Sequence, residues 1–82
     1  MNGFAPHAEY HADIDIFHVQ FSDAEIARTS ELDLWRNVDL AADGEPVAVE
    51  FVNASMGLNL RDVPRSAEVA DLARPFGLPL VV

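Results

Sequence analysis

Four residues in the middle of this 82-residue chain have the types and spacing to hold a cation. Asp39, Asp43, Gly44 and Glu50 occupy the first, fifth, sixth and twelfth places of a twelve-residue calcium loop, in which oxygen ligands converge around a sharp glycine turn. The third ligand place holds Ala41, and the residues after Gly44 alternate as a strand with no helical flank. The four residues are therefore read as a turn: Asp39 accepts hydrogen bonds, Asp43-Gly44 supplies the positive φ of a hairpin, and Glu50 lies on the face opposite Val49. A second cluster, His7, His11 and His18 with Asp13 and Asp15, could supply metal or acid–base chemistry. In a strand, His11, Asp13 and Asp15 would share a face while His18 falls on the other parity. A histidine in an irregular lead-in is more often solvated than ligated. Ser22, Ser30, Ser55 and Ser66 have no histidine placed by a recognisable motif, so serine nucleophiles are not expected. The reading is of no enzyme, no metal and no cofactor.

The elements that position these residues follow from hydrophobic periodicity. Residues 1–11 contain Gly3 and Pro6 without a clear period and read as a loose lead-in. Over residues 14–52 the period is two, which predicts an antiparallel β-meander of about four strands. In the first, Phe17, Val19 and Phe21 occupy one face and Ile16, His18 and Gln20 the other. A more polar strand is expected at 26–32, a third at 34–40 and a fourth at 46–52, with Pro46 tolerable at its start. Val69, Leu72, Ala73 and Phe76 then follow helical spacing, predicting a helix over 66–75 with Ser66 as N-cap, Glu68 at the positive end of its dipole, and Pro75 and Gly77 ending it. The fold class expected is α+β, one domain with a C-terminal helix packed on the sheet.

The order Asp15, Phe21-Ser22-Asp23, Arg28-Thr29-Ser30-Glu31-Leu32, Val38-Asp39, Asp43-Gly44, Val49-Glu50 and Asn53-Ala54-Ser55 resembles the domain of unknown function 2283 family of small prokaryotic proteins. The resemblance runs over roughly residues 15–55. The family usually has tyrosine where His18 stands, aspartate at Ala41 and glycine at Ala48. It implies a small antiparallel sheet with a terminal helix. It carries no established activity, and the placing of some members beside small toxin-like proteins implies a protein partner.

Composition narrows the partner. Fourteen acidic residues face five arginines and no lysine, giving a net charge of −9. The arginines are scattered among carboxylates, which argues against nucleic acid; the acidity reads first as solubility and second as a preference for a basic protein partner. Cysteine is absent, which excludes disulfides, thiol catalysis and zinc–thiolate sites and fits a reducing cytoplasm. No apolar run reaches membrane-spanning length, and no membrane partner is expected. A sheet with a single helix leaves apolar surface open, and the terminal residues 78–82 add more. Trp35 reads first as a core or edge anchor and second as an interface residue, and with Leu78, Leu80, Val81 and Val82 it makes the candidate interface of a homodimer in which the tail or an edge strand crosses between subunits. The function expected is protein binding or assembly, with a small ligand- or metal-binding module as the alternative.

Overall fold

The computed structural model describes residues 3–81. Its centre is a five-stranded antiparallel sheet made of β1 (His7–His11), β2 (Ile16–Gln20), β3 (Arg28–Asp33), β4 (Arg36–Leu40) and β5 (Pro46–Val52). The spatial order is β1-β2-β5-β4-β3. After β5 come a 3-10 turn (Ala54–Met56), the short strand β6 (Leu58–Asn59), the helix α1 (Ser66–Ala73), a second 3-10 turn (Arg74–Phe76) and β7 (Leu80–Val81).

The α+β class, the antiparallel sheet and the single C-terminal helix match expectation, but the connectivity differs from a simple meander. Strands β3, β4 and β5 are hairpin-connected neighbours, and β5 then lies beside β2, which is Greek-key order. Strand composition accounts for this. Val47, Ala48 and Val49 of β5 are all buried, whereas five of the six positions of β3 are exposed. Pairing β2 with β5 puts the most apolar strand at the centre and leaves the polar strand at an edge.

The fifth strand is a correction to the lead-in. His7 to His11 pair residue for residue with Gln20 to Ile16. Only Ala8 and Tyr10 pack against the core, so the alternation in β1 rests on two residues between three polar ones.

One face of the sheet is covered. Phe17 and Val19 of β2, Val38 of β4 and Val49 and Phe51 of β5 point into a core closed by Ala54, Leu58, Val63 and, from α1, Val69 and Ala73. The ring of Phe76 meets that of Phe17 edge-on at 5.4 Å, and the guanidinium of Arg65 lies 4.6 Å over the ring of Phe21. Burial of this apolar area is the main driving term for folding.

The helix begins where its stripe predicts, with Glu68 in its first turn, but its N-cap is Arg65 at φ 55°, without a side-chain cap bond. Ser66 is the first helical residue instead, and Arg65 makes its ion pair with Glu68 at 2.6 Å. Pro75 sits in the 3-10 turn and Gly77 ends it at φ 68°.

The apolar tail has a place in its own subunit. The amide of Leu58 donates to Pro79 O at 2.7 Å and that of Leu60 to Val81 O at 3.1 Å, so β7 runs parallel to β6. Leu78 packs against the core while Leu80 and Val81 stay largely exposed. Val82 lies outside the described residues.

Candidate functional site: the apolar end of the sheet

Three turns meet at one end of the sheet. Residues 12–15 join β1 to β2, Leu34 and Trp35 join β3 to β4, and Ala54–Met56 follows β5. Trp35, expected within a strand, is in a two-residue turn, because the side chain of Asp33 captures the Trp35 amide at 2.9 Å and Arg36 begins the strand.

Asp15 locks two of these turns together. Its backbone is left-handed at φ 56°, and its carbonyl accepts from the amide of Ala54 at 3.0 Å. One carboxylate oxygen accepts from Tyr10 Oη at 2.6 Å and from the Ser55 amide at 2.9 Å, while the other accepts from Ser55 Oγ at 2.6 Å. The Ser55 hydroxyl, followed by the Tyr10 hydroxyl, holds the Asp15 carboxyl below the usual carboxylate range. The hydrogen bond to Asp15 in turn raises the Tyr10 phenol. The trio thereby ties the β1–β2 turn to the turn that follows β5.

Arg36 anchors the opposite side. Although buried, it donates from Nε and Nη2 to Asp33 Oδ2 at 3.1 and 2.9 Å, and from Nη1 to the carbonyls of Asn59, at 3.0 Å, and Arg61. The guanidinium fork thereby ties residues 59–61 to the sheet. Arg36 also holds the Asp33 carboxyl below its ordinary range.

Beside Arg36 lies a groove of about 280 Å³ lined by Trp35, Phe51, Val52, Asn53, Met56 and Asn59. At this end of the sheet three large apolar side chains are open to solvent: Leu34 is 86 % exposed, Met56 82 % and Trp35 50 %. Asn53, at φ 57°, turns the chain at the groove wall. Trp35, for which core or edge packing is the first expectation from sequence and an interface role the second, is half-exposed here. The exposure of Met56 and Leu34 has no signal in the sequence, since nothing local distinguishes an exposed aliphatic side chain from a core one.

The residues with calcium-loop spacing are dispersed. Asp39 accepts from Thr29 Oγ1 at 2.6 Å on the neighbouring strand, and Asp43 accepts from the Glu45 amide at 3.0 Å. Gly44 alone carries the positive φ of the hairpin, 88°, and its amide donates to Ala41 O at 2.9 Å. Glu50 faces His18 instead, with Oε2 3.9 Å from Nδ1.

The histidine cluster is rearranged as well. Asp15 is committed to Tyr10 and Ser55, and His11 pairs with Glu9 at 3.2 Å. His18, which simple parity set apart, lines a shallow concavity with His11, Glu9 and Glu50 because Glu9, His18 and Glu50 stand opposite one another on adjacent strands. Among the described residues, no three His, Asp or Glu side chains are arranged to hold a metal ion.

A family model described as protein of unknown function (DUF2283) matches residues 7–55, more than half of the chain. The chain belongs to the DUF2283 family. The matched segment begins with β1 and ends at Ser55, so in structural terms the DUF2283 segment is the five-stranded sheet together with the Asp15–Ser55 brace. Helix α1 and the β6–β7 pair lie beyond it. No curated protein and no solved structure matches the chain. No helix among the described residues is long and apolar enough to cross a membrane.

Proposed function

We propose that this DUF2283 protein is a non-enzymatic protein-association module of the cytoplasm, and that the apolar end of its sheet is the contact surface. One observation carries the reading: exposed Trp35 and Met56 both line a groove beside Arg36, and Asp15 fixes Ser55, the residue before Met56. Aromatic and methionine side chains beside a rigid depression are what association surfaces concentrate, and tryptophan is among their strongest anchors. The braces keep the groove formed before a partner arrives, which lowers the ordering cost of binding. The surplus of carboxylates outside the groove favours a basic protein as heterologous partner and steers it by charge.

The test is native recovery of the tagged chain from its own cells, comparing wild type with Met56→Asp. Partners retained by the wild type and lost with the variant are the expected result. Identical recovery by the two chains, with unchanged circular dichroism, would falsify the assignment of the surface.

A further inference from the structure

We infer that the uncovered face of the sheet is a docking surface for a basic segment of the partner protein, one that crosses the strands and presents arginine or lysine side chains about 10 Å apart. This rests on the association reading above, extends it to a second surface and names the charge pattern that the surface takes.

The strands sort their charges by face. On the uncovered side Glu9 of β1 stands opposite His18 of β2, His18 opposite Glu50 of β5, Glu50 opposite Asn37 of β4, and Asn37 opposite Glu31 of β3. Alternation puts Asp39 on the same side, opposite Ala48. None of the five arginines joins them. Arg28 is opposite Leu40, which packs against the core, and so belongs to the covered side. Arg36 is buried against the carbonyls of Asn59 and Arg61, and Arg61 itself lines a depression beside α1 with Ser66 and Ala70. Arg65 lies over Phe21, and Arg74 pairs with Asp71 at the end of α1. The fixed positive charge thus sits on the covered side, and the acidic row meets solvent with histidine as its only basic neighbour.

The row has both a spacing and a seat. Neighbouring strands lie about 4.8 Å apart, so Glu9, Glu50 and Glu31, on every second strand, are separated by about 10 Å from one to the next. Carboxylates at that distance still repel one another at moderate salt, and a cation set against each removes the repulsion. Glu50 has its acceptors open, because His18 Nδ1, at 3.9 Å, is beyond hydrogen-bond distance of Oε2. A shallow depression of about 330 Å³ is lined by Glu9, His18 and Glu50 together with Ile14 and Ile16. Long cationic side chains fit such a place, with their methylene stems on the isoleucines and their heads at the carboxylates. Ile16 also pairs with Val52, which lines the groove at the apolar end. One partner can therefore cover both surfaces at once.

The test titrates the isotope-labelled full chain at low salt with a synthetic peptide carrying three arginines, one at every third residue, a spacing of about 10 Å when extended. An isomer with the three arginines adjacent serves as comparison. Amide shifts concentrated at Glu9, His18, Glu50, Asn37 and Glu31, and a tighter Kd for the spaced peptide, are the expected results. Glu9→Gln, Glu31→Gln and Glu50→Gln together should weaken that Kd about tenfold with unchanged circular dichroism. Asp62→Asn, Glu68→Gln and Asp71→Asn together remove the same charge from the helical layer and should change it by less than about twofold. Shifts spread over both layers, equal affinity for the two peptides, or equal loss from the two triple variants would each overturn the inference and leave diffuse attraction by net charge. Met56→Asp should bind the spaced peptide as the wild type does. Row-specific binding with Met56-independent recovery from cells removes the apolar end and keeps this face, and the opposite pair of results removes this face and keeps the apolar end.

Discussion

Replacing Arg36 by methionine keeps an unbranched stem of similar length but removes the fork that joins residues 59–61 to the sheet. The carbonyls of Asn59 and Arg61 lose their guanidinium donor. A buried acceptor left without a partner costs about 1–3 kcal/mol, and the lower end applies here because Asn59 is half-buried and Arg61 exposed. The two carbonyls together give about 2 kcal/mol. The loss of the Asp33 pair is left out of the figure, since that carboxylate is open to water and its screened interaction contributes little. For a domain of this size, 2 kcal/mol lowers the melting temperature by roughly 8–16 °C. Thermal unfolding followed by circular dichroism measures the shift. Hydrogen exchange should show faster loss of protection at the Leu58 and Leu60 amides, which pair with the tail just beside the carbonyls Arg36 holds. Arg36→Lys should recover only a small part of the loss, because a single ammonium cannot reach the carboxylate and both carbonyls in the fork's geometry. A melting temperature within about 3 °C of wild type for the methionine variant would refute the reasoning. Full recovery by lysine would show that charge, rather than fork geometry, holds the segment.

Two further outcomes are expected. The Asp15 and Asp33 carboxyls are both held below their ordinary range in the folded protein, by Ser55 and Arg36 respectively. Their stabilisation is therefore complete above the unfolded carboxylate range and lost as pH falls through the depressed folded values. Urea midpoints should drop between about pH 5 and pH 2, with a shallower drop for Asp15→Asn, which no longer titrates there; parallel curves for the two chains would exclude Asp15 as a source of the acid sensitivity. Gly57 lies at φ 128°, and a Cβ there would meet Val81 Cγ2 at 2.7 Å. Gly57→Ala should lose about 1–3 kcal/mol in chemical denaturation, and Val81→Ala in the same chain should return only the part due to the clash, leaving the backbone strain. Complete rescue by Val81→Ala would show that the backbone angle costs nothing.

Much of the fold is visible in local pattern. Val47, Val49 and Phe51 recur at every second place after a proline and lie in β5 over 46–52, and the Val69, Leu72, Ala73 spacing marks α1 because a face buried on one side must repeat with the period of its element. The acid-rich, cysteine-free composition likewise belongs to the residues alone. β1 escaped notice because its five residues carry three polar side chains on the open face and only Ala8 and Tyr10 on the covered one. The pairing of β2 with β5, the meeting of Asp15 with Ser55 forty positions later, and the gathering of Leu34, Trp35 and Met56 at one end were settled only by tertiary structure. Periodicity records which face of a segment is buried. Which segment lies beside it depends on how all the strands share one core, and no single stretch of chain contains that information.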